Sequence, residues 1–240
     1  LFSRPKVVSL IANTLTPERL VRRVRRWKFV PKQALKIFYV SRSQREGMPF
    51  AGEVITSPVD VERFAPAARA HQGLRAGRLS RDVAYKHGDD DPQIYKELVG
   101  AGWQVAVRGG TCLADQLGEM QGVELSAESP DEPEHFLQGL DVFFYRTRDD
   151  WYEAFGRVVL EAMACGLVVI AENRGGYVDL IEHGRTGYLF DTNAEALKYF
   201  QLLKNDPALL DKLRQAARAR ALSLASAKSG DEFFTRFARA

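Results

Sequence analysis

Cysteine is scarce in this 240-residue chain: only Cys112 and Cys165 occur, in unrelated segments and without metal-ligand spacing. That excludes a disulfide-stapled fold and a cysteine-based zinc site, and the pair reads as reduced thiols of a cytoplasmic protein. The four histidines are scattered and form no metal-binding cluster. No apolar run approaches the roughly 18 residues of a membrane span. No secretory signal, internal repeat or low-complexity tract is visible. A Walker loop and a Gly-x-Gly-x-x-Gly turn are both missing, which disfavours ATP hydrolysis and nicotinamide chemistry. The chain opens on Leu1 rather than Met, so its true N-terminus is expected to lie upstream.

What is present is a soluble globular composition, 45% hydrophobic and 27% charged, over a length that allows one large or two small domains. The net charge of +3 is unevenly placed. Residues 1–36 hold ten Lys or Arg and one acid, Glu18, a net of +9, so the remainder carries −6. This charge centres on a helix running from Arg19 to Lys28, for which Thr16 is the expected cap and Pro17 the first residue. Leu20, Val21, Val24 and Trp27 line one face, and five arginines cover the rest. A basic amphipathic helix with Trp suits an anionic membrane surface. The ordinary alternative is a helix packed on its own domain with solvated arginines. Nucleic acid is disfavoured, since neither an aromatic-studded sheet nor a zinc motif accompanies the charge.

Periodicity predicts strands over 37–41, ending in a polar loop, and over 53–60, then an alternation of strand and helix from Gln72 onward, the pattern of a Rossmann-like doubly wound α/β domain. The expected strands are 74–79, 104–108, 123–127 and 141–145. The expected helices are 92–102, 114–120 and 134–139, and later 194–203, 207–224 and 231–239.

The most informative stretch is 153–191. It begins Glu153-Ala-Phe155-Gly156-Arg157-Val-Val-Leu-Glu161-Ala-Met-Ala-Cys-Gly166. It continues through Arg174-Gly175-Gly176-Tyr177 to His183-Gly-Arg-Thr-Gly-Tyr-Leu189. Val158 to Cys165 has the apolar spacing of a buried helix closed by Gly166; 167–171 reads as a fully buried strand. Glu153 then precedes the helix, and Glu161 lies inside it, about two turns away from Glu153. Both can face the crevice at the carboxyl edge of a parallel sheet. The amides of Phe155, Gly156 and Arg157 form the positive end of that helix, which favours a phosphate.

At these residues the chain resembles group 1 (family 4) retaining glycosyltransferases of the GT-B fold, mainly their C-terminal donor-binding domain. The resemblance covers the chain from about Val40 onward and is most specific over 153–190. It implies a tail of an acceptor domain over 1–65, joined through Val59-Asp60-Val61-Glu62-Arg63-Phe64-Ala65-Pro66. A nucleotide-sugar-binding domain follows over 66–228, and a C-terminal helix over 229–240 crosses back. About 65 residues cannot build a complete acceptor sheet, so that domain is expected to be truncated here.

The same resemblance implies site roles. Gly77-Arg78 ends the first strand of the domain, and Arg78 with a following Lys holds the donor diphosphate. Lys86 is the expected Lys, although its spacing is about two residues long, and Arg81 is the rival. Glu161 holds the ribose hydroxyls; Glu153 holds the sugar and orients its ring, and neither is the covalent nucleophile of a hydrolase. The Gly175-Gly176 turn lets backbone approach the ligand. No metal or other cofactor is expected. The nucleotide base falls near the strand end at 123–129. The loop carrying Arg146, Arg148, Asp149, Asp150 and Trp151 departs from the family's short Pro-Ser turn and is expected at the entrance. The implied reaction moves a sugar from a nucleoside-diphosphate sugar to a glycan or lipid-linked acceptor, in cell-surface polysaccharide or glycolipid synthesis. Its place would be the cytoplasm, peripheral to the inner membrane face. A non-catalytic nucleotide-sugar-binding domain and a GT-B nucleotide-sugar epimerase are the competing readings.

Overall fold

The structure, a computed structural model, describes residues 8–12, 16–31, 34–68 and 72–226. The helix expected over 231–239 lies outside the described residues. Two parallel sheets organise the rest. The first is small, with strands β1 (Val8–Ala12), β2 (Leu35–Tyr39) and β3 (Glu53–Val54) in that order. Helix α1 (Pro17–Arg26) joins β1 to β2. Thr16 caps it by accepting from the Arg19 amide at 3.4 Å, and Pro17 opens it, since a missing N–H costs nothing there. Leu20 is fully buried among Leu10, Ala12, Ile37 and Tyr39, with Val24 half-buried beside it. The arginines face outward.

Two local readings of this part need correction. The strand expected over 53–60 pairs only at Glu53 and Val54, although the Ile55 amide still reaches the Tyr39 carbonyl at 2.8 Å. Pro58 offers no ladder donor and restricts the residue before it, which ends the pairing. The polar loop expected after β2 instead forms a helical turn, α2 (Arg42–Glu46). Its caps explain it. Ser41 accepts from the Gln44 amide at 3.1 Å. Asp179, from the far side of the chain, accepts from the Arg42 amide and, at 3.0 Å, from the Ser43 hydroxyl.

The second sheet has six parallel strands. They are β4 (Arg75–Leu79), β5 (Gln104–Arg108), β6 (Val123–Ser126), β7 (Val142–Tyr145), β8 (Val168–Glu172) and β9 (Gly187–Phe190), ordered β6-β5-β4-β7-β8-β9. The order reverses between β4 and β7, and such a switch point is where doubly wound sheets bind ligands. The central strands β7 and β8 are buried on both faces. Phe143 and Tyr145 of β7 join Val169 and Ala171 of β8 in one core, under α5 (Pro133–Gln138), α6 (Arg157–Ala164) and α8 (Pro207–Ser226). Val142, Phe144, Val168 and Ile170 join the other, under α3 (Asp91–Gly100) and α7 (Asn193–Asn205). The alternation is the period of two of a pleated strand.

Helix α4 (Ala114–Leu117) stops short of the expected 120 because Gly118 turns out of helical geometry at φ 56°. After His183, β9 joins β8 in parallel register, Val169 opposite Gly187. The preceding turn closes on itself, with the Gly184 amide on the Gly187 carbonyl and the Leu189 amide on His183 Nδ1. Among the described residues no helix is long and apolar enough to cross a membrane.

Candidate active site

The carboxyl ends of β4 and β7 open on one crevice of about 490 Å³. Leu79, Ser80 and Arg81 line it from β4, Tyr145 and Glu153 from β7 and its loop, and Gly156, Arg157, Val158 and Glu161 from α6. Glu128, Ser129 and Pro130 close the side beyond β6, and Lys86 enters from a 3-10 turn over Ala84–Lys86.

Glu153 is held from both ends. Its carbonyl accepts from the Gly176 amide at 2.7 Å. A Cβ on Gly176 would lie 1.8 Å from the Ala154 carbonyl oxygen, so only glycine lets this turn grip the Glu153 loop. At the other end, Lys86 Nζ pairs with Glu153 Oε2, and the Tyr145 hydroxyl donates to the same oxygen at 3.1 Å. Beyond the loop, Gly156 takes φ 77° to start α6, which sets the first amides of the helix at the crevice and favours negative charge there. Glu161 lies half-buried one turn further in. Burial raises its pKa above the ordinary carboxylate value, with Arg157 and Arg63 opposing.

A buried layer supports this floor. Arg78 is fully buried. It pairs with Asp91 at 3.1 Å, donates to the Lys86 carbonyl, and lies 4.9 Å over the Tyr145 ring. Arg146 shares Asp91 and also donates to Asn193 Oδ1 at 2.7 Å. The two guanidiniums share this one buried carboxylate, and the half-buried Glu172 also acts on Arg146. His87, next in chain to Lys86, places Nε2 2.8 Å from the Gly109 carbonyl. Burial, aided by Arg78, lowers its pKa to about 3, so it is neutral and donates its Nε2 proton to that carbonyl.

The crevice therefore gathers Lys86, Glu153, Gly156, Arg157 and Glu161 as expected. Arg78 is the chief correction: its guanidinium lies under the floor rather than on the crevice, and Arg81 is the arginine that lines it. Gly77 lies inside β4 against β5. Phe155 is packed into the core. Gly175 and Gly176 form the turn behind Glu153 instead of lining the crevice.

Arg146 also turns inward, and Arg174 orders the loop above it by donating to the carbonyls of Thr147 at 2.8 Å and Trp151 at 2.9 Å. Trp151 packs on Tyr85 with ring centroids 4.4 Å apart and planes tilted by 34° and, with Asp150, lines a neighbouring cavity of about 440 Å³ shared with Arg19, Ser43 and Met48. Tyr145 was missed because Val-Phe-Phe-Tyr reads as pure core. The available signal was its hydroxyl, which needs a partner when buried. At a further cavity, at the opposite, amino end of the strands, Arg214 pairs with Asp141, and Arg218 donates to the carbonyls of Phe64, Val61 and Ala164.

Comparison with known proteins places this geometry. Over 57 residues the chain is 49% identical to N-acetyl-alpha-D-glucosaminyl L-malate synthase of Bacillus anthracis, covering 22% of this chain and 15% of that protein. Over 63 residues it is 43% identical to sucrose synthase 2 of Pisum sativum, covering 24% of this chain and 8% of that protein. The matched stretches thus span only a small part of these curated relatives. The crystal structure of Anabaena HepE in complex with UDP and glucose aligns with a TM-score of 0.74 at 16% identity, over 92% of this chain and 69% of that one. This likeness shows a GT-B α/β fold. The family model described as glycosyl transferases group 1 matches residues 62–220, more than half the chain and the whole of the crevice. The chain belongs to the group 1 glycosyltransferases.

Proposed function

We propose that the crevice binds a nucleoside-diphosphate sugar and that the protein transfers the sugar, with retention of configuration, to a glycan or lipid-linked acceptor. The observation that carries this reading is the convergence of Lys86, Glu153 and the α6 amides at the switch point between β4 and β7. A diphosphate leaving group develops charge as its bond to the sugar breaks. Lys86, Arg81 and the amides at Gly156 and Arg157 meet that charge, and no metal is called on for the role. Glu161 accepts from the ribose hydroxyls, and Glu153 accepts from the sugar. The GT-B relative HepE was crystallised with UDP and with UDP-glucose, which makes these the first probes here.

The finer setting is a membrane face. Helix α1 exposes arginines along its length, and Trp27 and Phe29 stand 42% and 78% exposed just beyond it. This is the arrangement of a surface lying on anionic lipid, close to a lipid-linked acceptor on the cytoplasmic side. A cell-surface polysaccharide or glycolipid would be the product.

A thermal-shift screen with UDP, GDP and ADP and their hexose conjugates tests the donor. Stabilisation by a matched pair is expected. Release of free nucleotide only when an acceptor is supplied identifies a transferase. Interconversion of the donor sugar without an acceptor would instead identify an epimerase, and binding without either reaction a non-catalytic domain.

A further inference from the structure

Glu153 has two carboxylate oxygens, and the protein uses only one of them. Lys86 Nζ and the Tyr145 hydroxyl both meet Oε2, while Oε1 has no protein partner among the described residues. We infer that Tyr145 is a positioning residue for Glu153, fixing Oε2 so that Oε1 is presented to the donor sugar. The inference rests on the reading of the crevice as the donor site.

Three observations carry it. First, Tyr145 cannot drift. It is 2% exposed, meets Tyr177 edge-to-face at 5.2 Å and 88°, stacks on Phe143 at 5.9 Å, and carries the Arg78 guanidinium over its ring at 4.9 Å. A hydroxyl on so fixed a ring aims its proton in one direction. Second, that proton stays in place: burial and the nearby Glu153 charge push the phenol well above its ordinary pKa, so the group is a donor at neutral pH. Third, Lys86 is the partner a ligand draws away. A phosphate in the crevice competes with Glu153 for the ammonium. Once Lys86 turns toward the diphosphate, Tyr145 is the hold that keeps the carboxylate from rotating. The packing alone does not need the hydroxyl, because phenylalanine fills the same ring volume. At this strand end the oxygen is the one addition that chemistry, rather than the core, explains.

The test uses Tyr145→Phe, which keeps the ring and removes the bond. Isothermal titration of the full chain with UDP and UDP-glucose, and with GDP and GDP-mannose, compares free nucleotide with sugar donor. Free nucleotide affinity is expected to stay at the wild-type value, while donor affinity weakens by about tenfold, the scale of one hydrogen bond to a charged group. In a Glu153→Ala background, Tyr145→Phe should add nothing further. A purely structural tyrosine would weaken both ligands alike, or weaken the donor equally with and without Glu153, and either result overturns the inference. The arms also separate it from the reading beneath. A Glu153→Ala effect on the donor with a silent Tyr145→Phe overturns the role of Tyr145 alone. Glu153→Ala that leaves donor and nucleotide affinities unchanged, or a wild-type chain that binds neither pair, overturns both.

Discussion

Lys86 and Glu153, 67 residues apart in sequence, form an ion pair in the floor of the crevice, their side chains 10% and 18% exposed. The pair is local in space because Lys86 follows β4 and Glu153 follows β7, and these two strands are neighbours at the switch point. In the ligand-free crevice each charge satisfies the other. On the proposed reading, a nucleotide sugar would offer a diphosphate to the first and hydroxyls to the second, so that binding exchanges one pair of contacts for two.

The two glutamates should separate ligands. Glu161→Ala is expected to weaken free nucleotide and nucleotide sugar alike by about 1.5–3 kcal/mol, the loss of a hydrogen-bonded carboxylate at the ribose. Glu153→Ala should spare the free nucleotide and weaken only the sugar donor, and in an assembled enzyme it should also lower turnover. Titration of both variants with UDP and UDP-glucose decides this. Equal losses for both ligands at Glu153 would remove its assignment to the sugar.

His87 predicts an acid-sensitive fold. Its pKa falls from 6.5 in the unfolded chain to about 3 in the folded one. The unfolded state therefore takes up a proton below about pH 6.5, while the native state does not until about pH 3. Stability from this group is complete above pH 6.5 and declines as pH falls through that window, by at most about 1.4 kcal/mol per pH unit. Other carboxylates have their own acid slopes, so the measurement is the difference in urea unfolding between wild type and His87→Gln from pH 7 to 4.5. The variant should show the shallower decline. Identical slopes would mean that the ring is protonated, or exposed, in the native state.

Much of this architecture was legible because burial leaves a pattern. The β5 strand runs over 104–108 as its alternation indicates, and the Glu153-to-Glu161 spacing places both carboxylates on one crevice. What escaped was set by contacts distant in sequence. Helix α2 has a local cap in Ser41, but its second cap, Asp179, comes from 137 residues away, which no local propensity records. Arg78 read as a phosphate ligand through the family resemblance of Gly77-Arg78, but Asp91, thirteen residues on, draws it inward. Tyr145 looked like core because its ring is core, and only the position of Glu153 reveals what its oxygen does.

Helix α1 should bring the protein to anionic vesicles. Leu20 is spent on the fold, but the arginines, Trp27 and Phe29 remain available. Each basic residue near such a surface contributes about 1 kcal/mol, screened by salt. Sedimentation with phosphatidylserine vesicles should recover the protein at low salt, phosphatidylcholine vesicles should not, and Arg22→Glu with Arg26→Glu should abolish the difference. Binding that ignores lipid charge and salt would return α1 to the role of an ordinary solvated helix.

Arg78 and Arg81 offer the sharpest contrast, because sequence and structure assign them differently. If Arg78 held the diphosphate directly, Arg78→Ala would leave a folded protein with poor nucleotide affinity. The structure instead makes Arg78 the partner of a buried carboxylate, the donor to the Lys86 carbonyl and the cation over Tyr145. Removing it leaves Asp91 to Arg146 alone, takes the donor from the buried Lys86 carbonyl and empties the volume over the Tyr145 ring. Losing these buried contacts costs about 2–4 kcal/mol, so Arg78→Ala should lower the unfolding midpoint sharply before any ligand is added. Arg81 is exposed on the rim of the crevice. Arg81→Ala should leave unfolding unchanged within about 0.5 kcal/mol, as surface substitutions do, and weaken UDP and UDP-glucose together. Denaturant unfolding and titration on both variants read the two effects separately. A stable Arg78→Ala protein that has lost nucleotide would restore that arginine to the phosphates and displace Arg81.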